Sequence, residues 1–343
     1  MNPLSPFGWL YGLAVQGRNS LYDRGVFKSH SLGKRTISIG NLTTGGTGKT
    51  PLVALVAHLL AGQGENVCIL SRGYGRKSKA ERVLVSDGNT VLCDAVTGGD
   101  EPVELAHKLI GKAAVVVSGD RVAAAAWAIA SLSPTVFILD DAFQHRRARR
   151  DLDIVCIDST NPFGNGKILP AGTLRESKDN LERADLIVIT RTDLIKDVSE
   201  IENQIGRLND AAPVFRSANK ISGFATVATF IEGKSGDTPA FVKTGSPVFA
   251  FCGLGNPSNF FRQLEKESVD LRGRKTFPDH YFYTQKDIIE IVKKARSVGA
   301  EYLMTTVKDA VRLGGLTLPM PVYVAEIETV VADQNAFRDA IIS

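Results

Sequence analysis

Strand-like apolar runs alternate with helix-like segments along the chain, and a glycine-rich turn separates the first such strand from its helix; together these predict an α/β protein. The expected architecture is a P-loop NTPase-type, doubly wound, mostly parallel sheet with a second, smaller α/β domain. The turn lies in TISIGNLTTGGTGKTPLVALVAHLL, residues 36–60. TISIGN alternates as a buried strand does, and Pro51 opens an apolar helix. Gly45, Gly46 and Gly48 let successive N–H groups point inward, and the helix N-terminus adds partial positive charge. Lys49 then reaches the β and γ phosphates and Thr50 offers its hydroxyl to Mg²⁺. The phosphate cradle is therefore expected to be Thr43, Thr44, Gly45, Gly46, Thr47, Gly48, Lys49 and Thr50, with Thr43 standing where the usual GxxxxGK[ST] pattern has glycine.

Past the loop, strands are expected at residues 67–71, 83–86, 113–118, 135–139, 154–158 and 186–190, with helices near 102–109 and 121–131. Parallel strands of this kind place ligands at their carboxyl ends. The character changes near Pro213: a polar, glycine-rich stretch, EGKSGDTPAF at 232–241, precedes a second β/α run of VFAFCGLG, a helix over 257–266 and YLMTTVKDA. The domains read as residues 1–35, a basic amphipathic segment; 36–213, a P-loop nucleotide-binding domain; and 214–343, a smaller α/β domain.

Composition bounds the class. A chain of 343 residues, 43% hydrophobic and 23% charged, is ordinary for a globular protein of two domains. Cys68, Cys93, Cys156 and Cys252 show no CxxC spacing and are expected to be reduced core residues of a cytoplasmic protein. No run reaches the ~18 apolar residues of a membrane span, and no secretory leader pattern is visible. The net charge is +4, and residues 1–35 contain all of the excess through Arg18, Arg24, Lys28, Lys34 and Arg35 against Asp23. In the same segment Leu4, Phe7, Tyr11, Ala14 and Leu21 recur at helical spacing, widened by Trp9, Leu10 and Leu13. Such a helix suits an anionic membrane surface; it equally suits packing on its own domain, although Gly8, Gly12 and Gly17 weaken it.

A second motif is TVFILDDAFQHRRARRD, residues 135–151. The strand ends in Asp140 and Asp141, which puts carboxylates at the sheet edge where a phosphate-bound Mg²⁺ needs oxygen ligands; a helix cap is the plainer use of such a pair. The basic run Arg146, Arg147, Arg149 and Arg150 fits either an anion grip or a solvated face.

SIGNLTTGGTGKTP, SRGYGR, GDEP, LDDAFQHRR, PAGTLRES, FPDHY and TTVKD occur in that order between Thr36 and Asp309. In this the chain resembles the tetraacyldisaccharide 4′-kinases, which phosphorylate the 4′-hydroxyl of a lipid A precursor. One departure is Ala142, where the family commonly has glycine, and a methyl group matters there only if the backbone needs positive φ. The resemblance implies ATP and Mg²⁺ as cofactors, a tetraacyldisaccharide 1-phosphate as acceptor, no nucleic-acid partner, and peripheral attachment at the cytoplasmic face of the inner membrane. It implies Asp100 as the base for the acceptor hydroxyl, with the plainer alternative of a helix cap, and His280 as its assistant. Glu176 is expected in the Mg²⁺ shell beside Thr50, Asp140 and Asp141. Arg121 and Arg175 are expected to neutralise developing γ-phosphate charge, with surface salt bridging the plainer use of each, and Tyr74 to stack on a base or sugar or to brace its loop. ITRTD, residues 189–193, partly matches the NKxD base-reading motif of GTPases but lacks its asparagine. A membrane-positioning ATPase and a GTP-binding module therefore stand as alternative functions.

Overall fold

The computed structural model describes residues 5–232, 245–267 and 269–343. Leu4 and all but Glu232 of the polar stretch at 232–241 lie outside the described residues. Twelve strands form among the described residues: β1 (Arg35–Asn41), β2 (Val67–Ser71), β3 (Arg82–Ser86), β4 (Ala113–Ser118), β5 (Val136–Asp140), β6 (Leu152–Asp158), β7 (Leu186–Thr190), β8 (Val214–Thr226), β9 (Pro247–Cys252), β10 (Asp270–Thr276), β11 (Tyr302–Thr306) and β12 (Val322–Val331). The chain divides into two compact units, one of Met1–Arg72, Ser118–Asn219 and Thr329–Ser343, the other of Gly73–Val117 and Lys220–Glu328. This division is not the contiguous one expected. Residues 73–117 group with the later part of the chain, and the last fifteen residues with the earlier part, so no single composition shift along the sequence marks it.

In the first unit the strand order is β8–β7–β6–β1–β5–β2. These strands pair in parallel, with Ile39 opposite Asp140 and Asn41 opposite Cys156. Strands covered on both faces must be apolar nearly throughout, which is why TISIG, VFILD and LIVIT read as continuous hydrophobic runs. Ile37, Ile39, Val53, Val56, Phe137 and Ile138 are all completely buried. The register brings the loop after β1 and the carboxyl end of β5 to one edge of the sheet, the edge at which α/β proteins bind ligands.

The helix Ser5–Asp23 belongs to this unit and has two faces. A β-carbon at Gly8 would stand 3.1 Å from Ala171 Cβ, and one at Gly12 3.1 Å from Ile168 Cδ1, so the missing side chains let the helix approach residues 168–171 closely. Away from that contact Phe7, Trp9 and Leu10 stay 61%, 66% and 58% exposed. The helix thus packs on its own domain and still leaves an aromatic, apolar face uncovered.

The second unit has a parallel run in the order β10–β9–β11–β12, followed by the later part of β8. Its core comprises Phe224, Val248, Ala250, Cys252, Phe260, Phe261, Leu264 and Met304. The helix Gln285–Ser297 is started by a capping box in which Thr284 and Asp287 bond reciprocally. The helix Asp100–Lys108 starts from Gly99, whose φ of 90° reserves that position for glycine.

Candidate active site

In the first unit, β1 runs into the phosphate loop and the helix Lys49–Gly62 leaves it. Gly48, at φ 79°, is the N-cap and has no side chain to bond the first-turn N–H groups, which are therefore presented to an anion. The loop is braced from outside. The N–H of Thr44 donates to the Thr173 carbonyl at 2.7 Å, the Arg175 N–H to the Leu42 carbonyl at 2.8 Å, and the Thr190 hydroxyl to the Thr47 carbonyl at 2.8 Å. Lys49 Nζ donates to Asn41 Oδ1 at 3.2 Å and stands 3.4 Å from Asp141 Oδ1, so its ammonium is steered along the loop and not into solvent.

Asp140 and Asp141 part company at the end of β5. Asp140 is buried and accepts a hydrogen bond from the Ser71 hydroxyl at 2.8 Å. Asp141 takes a left-handed φ of 51° and turns to the cations: both its oxygens lie 2.9 Å from Arg175 Nη1. Burial pushes the Asp141 carboxyl up, but Lys49 and Arg175 outweigh it and hold it below the usual carboxylate range. Ala142 is completely buried and is not among the positive-φ residues, so its methyl group causes no strain. Arg121 is buried at the start of the helix Arg121–Leu132 and donates to the Ser118 carbonyl. Burial pulls its guanidinium down to about 10 against the opposing pull of Asp140 and Asp141.

Glu176 is completely buried and sits at a hub. Its Oε2 accepts from Asn19 Nδ2 at 2.9 Å and from Arg183 Nη2 at 2.7 Å, and its Oε1 from Gln144 Nε2 at 2.8 Å. Gln144 Nε2 also donates to the Asn41 carbonyl at 2.8 Å, and Arg183 lies over the Phe143 ring. Among the described residues no three His, Cys, Asp or Glu side chains converge on one point. The donor set that fits Mg²⁺ is Thr50 with Asp140, one hydroxyl and one buried carboxylate, leaving the remaining positions to phosphate and water oxygens. All three expected carboxylates already have partners, Asp140 in Ser71, Asp141 in Lys49 and Arg175, and Glu176 in Asn19, Arg183 and Gln144.

The basic run is mostly consumed by structure. Arg146 bonds the Asn19 carbonyl and Asp23, Arg147 pairs with Asp120, and Arg150 bonds Asp153 and the carbonyls of Phe143, His145 and Ala148. In the 189–193 segment Arg191 pairs with Asp158, and Asp193 accepts the Asn219 N–H at 3.3 Å.

The second unit holds a second polar cluster, around Asp100 and His280. Asp100, the first residue of its helix, is 4% exposed, and its Oδ2 is 2.9 Å from His280 Nδ1. His280 has a left-handed φ of 59°, in a loop that points its ring at Asp100. Lys308 Nζ is 3.4 Å from the other ring nitrogen, Nε2, and 3.1 Å from Asp279 Oδ1. Burial and the Lys308 charge hold the imidazole below its usual value. A carboxylate at Nδ1 and an ammonium at Nε2 select the Nδ1–H tautomer. Tyr74, 72% exposed, meets the His280 ring edge-on with centroids 5.5 Å apart. Arg312, completely buried, pairs with Asp100 through Nη2. Asp100 and His280, 180 positions apart, are thus brought together, and the phosphate-loop residues are assembled within their own unit.

Sequence reasoning missed Asn19, Asn41, Gln144, Arg183 and Arg312. Asn41 and Gln144 lie inside quoted motifs and were available to closer reading. Asn19 and Arg312 have no local signal, being a helix asparagine and an arginine beyond the last motif.

The family model described as LpxK, tetraacyldisaccharide-1-P 4′-kinase, matches residues 2–343. A tetraacyldisaccharide 4′-kinase of Geobacter metallireducens is 40% identical over 333 residues, 96% of this chain and 94% of the relative. That of Desulfotalea psychrophila is 37% identical over 334 residues, 95% and 92% of the two chains. Among solved structures, LpxK from Aquifex aeolicus, crystallised in complex with ATP, superposes with a TM-score of 0.80 at 31% identity, covering 99% of this chain and 97% of that one. The phosphate loop, the acid–histidine pair and these full-length matches agree, and the chain belongs to the tetraacyldisaccharide-1-P 4′-kinase family.

Proposed function

We propose that the protein transfers the γ-phosphoryl group of ATP to the 4′-hydroxyl of a tetraacyldisaccharide 1-phosphate, a step of lipid A biosynthesis. The observation that supports it most is the pairing of a buried carboxylate, Asp100, with His280 at 2.9 Å, in a chain whose other unit holds a complete phosphate loop. A nucleotide switch needs the loop alone; a kinase also needs a base for an acceptor hydroxyl. The reaction requires both sets of groups at one hydroxyl. Lys49 and the loop N–H groups bind the β and γ phosphates, and Arg121 and Arg175 add positive charge where the transferred group gains negative charge. Asp100 takes the acceptor proton as the new P–O bond forms and the bond to the β-phosphate oxygen breaks. His280, donating through Nδ1–H, orients the carboxylate. Thr50 and Asp140 would hold Mg²⁺, which would neutralise part of the phosphate charge. Neither alternative function uses Asp100 and His280, and the GTP reading also lacks the asparagine that would read guanine.

The uncovered face of the N-terminal helix supports peripheral binding to an anionic bilayer, at the cytoplasmic face of the inner membrane where ATP is available. No helix among the described residues is long and apolar enough to cross a membrane. Purified protein incubated with Mg²⁺-ATP and a tetraacyldisaccharide 1-phosphate should place phosphate on the distal sugar. The Asp100→Asn variant should lose ~10²–10⁴-fold in turnover with ATP affinity retained. ATP consumption that is indifferent to the lipid would refute the kinase reading.

A further inference from the structure

The acid–histidine pair has a third member that no motif predicts. Arg312 follows the short helix Val307–Ala310 and its side chain is completely buried. Nη2 pairs with Asp100 Oδ2 and lies 3.4 Å from His280 Nδ1, while Nη1 is 3.6 Å from Asp309 Oδ1. Asp309 is itself fixed by the Thr306 and Tyr283 hydroxyls, at 2.6 and 2.9 Å, and by the Gly253 N–H at 3.0 Å. Every one of these groups lies in the second unit.

The pairing is lopsided. Arg312, His280 and, at 3.8 Å, Lys308 all gather on Oδ2 of Asp100. Oδ1 is thereby left as the oxygen free to receive a proton. A guanidinium is planar and permanently charged, so it fixes a carboxylate in angle as well as in ionisation, which a lysine on a flexible stem does not. Burying a guanidinium is costly unless it is paired, and burial here pulls the Arg312 group down to about 10. Its Nε and Nη1 have no hydrogen-bond partner, so its charge is compensated by the Asp100 contact at Nη2 and by Asp309, 3.6 Å from Nη1.

We propose that Arg312 is a positioning residue for the phosphoryl transfer: it pins Oδ2 of Asp100, keeps the carboxylate ionised and turns Oδ1 toward the acceptor hydroxyl. This rests on the reading of Asp100 as the proton acceptor. The charged groups facing Asp100 are His280 and Asp279 from the 277–281 loop, Lys308, Asp309 and Arg312 from the segment after β11, and Glu101 on its own helix. Of these, Arg312 is the completely buried cation in contact with the carboxylate.

The test is the pH profile of kcat with Mg²⁺-ATP and a tetraacyldisaccharide 1-phosphate for wild type, Arg312→Lys and Arg312→Gln, with ATP KM and thermal midpoint measured alongside. Arg312→Gln should lower kcat by on the order of 10–10²-fold through misplacement of the base, with ATP KM within about twofold. Removing the cation disfavours the ionised carboxyl, so the acid limb should move to higher pH. Arg312→Lys should restore the limb and only part of kcat. An unmoved limb, or turnover lost only in proportion to unfolded protein, would overturn the proposal. If Arg312→Gln does not fold, the double variant Asp100→Asn, Arg312→Gln replaces the ion pair by two neutral groups. Its turnover should equal that of Asp100→Asn alone, and a further tenfold loss would show that Arg312 acts elsewhere. If Asp100→Asn is itself fully active, the base assignment fails first, and the two failures are distinguished.

Discussion

Glu176 separates two roles that a sequence motif cannot, a direct Mg²⁺ ligand and an internal hub. The change to make is Glu176→Gln, which keeps shape and removes the charge. Two of its three donors, Asn19 and Arg183, share Oε2, so glutamine can keep both by placing its carbonyl there. Its NH₂ then faces Gln144 Nε2, also a donor, and Gln144 cannot turn over without losing its bond to the Asn41 carbonyl. The charge-assisted bond to Arg183 weakens to a neutral one, a loss of ~1 kcal/mol, and one buried donor is left unsatisfied at ~1–3 kcal/mol. Arg183 retains its contact over Phe143 and is 16% exposed, which limits the further cost of its uncompensated charge. The sum is ~2–4 kcal/mol, roughly 4–16 °C in the thermal midpoint of the first unit at ~2–4 °C per kcal/mol. Differential scanning calorimetry without nucleotide measures it, and limited proteolysis of the helix Ser5–Asp23 reports whether its Asn19 anchor has loosened. A midpoint unchanged within 1–2 °C, together with a raised Mg²⁺ requirement, would refute the hub and return Glu176 to the metal shell.

Lys49→Ala should abolish measurable transfer while leaving the circular dichroism spectrum intact; retained turnover would remove the phosphate loop from the mechanism. His280→Ala should slow turnover strongly while shifting stability by less than ~1 kcal/mol, since the residue lies outside the packed core, and a large stability loss with turnover kept would make it structural. His145 is held down to about 4 by burial and by Arg121 and Arg150. Its unfolded value is ~6.5, so the unfolded chain binds the proton first and stability is lost as pH falls from about 6.5 toward 4. His145→Gln should flatten that part of a urea-midpoint against pH curve; an unchanged slope would show that other groups dominate it. Replacing Phe7, Trp9 and Leu10 by serine should release the protein from anionic vesicles in a cosedimentation assay without lowering ATP affinity, and equal binding would assign membrane contact to another surface.

What was legible from sequence follows from how local each signal is. β2, β4 and β7 match the expected ranges because a strand buried on both faces is a continuous apolar run, and the helix Pro257–Lys266 is announced by its proline. β8 and β10 were missed because they are partly exposed and polar, as in VFRSANKISGFAT and DLRGRKT. The helix Gln285–Ser297 had a readable start, since TQKD is a capping-box sequence. Within the site, Lys49 and Asp140 are fixed by strand–turn geometry and could be placed without coordinates. Arg312 and Asn19 act through contacts that close over 212 and 157 positions, which nothing in their neighbourhood betrays.

The first unit also includes the last fifteen residues, Thr329–Ser343. Arg35, at the start of β1, donates to the Ile341 carbonyl at 2.6 Å, and Phe337, almost completely buried, meets Phe215 edge-on. During synthesis the strand that leads into the phosphate loop therefore emerges well before Thr329–Ser343, which its unit also contains. Domains usually fold in the order in which they are made. Here neither unit can be completed early, because each is interrupted by the other. β1, β5, β6 and β7 are all made by Thr190 and pair with one another, whereas Phe337 meets Phe215 only later, so the first unit is assembled in stages.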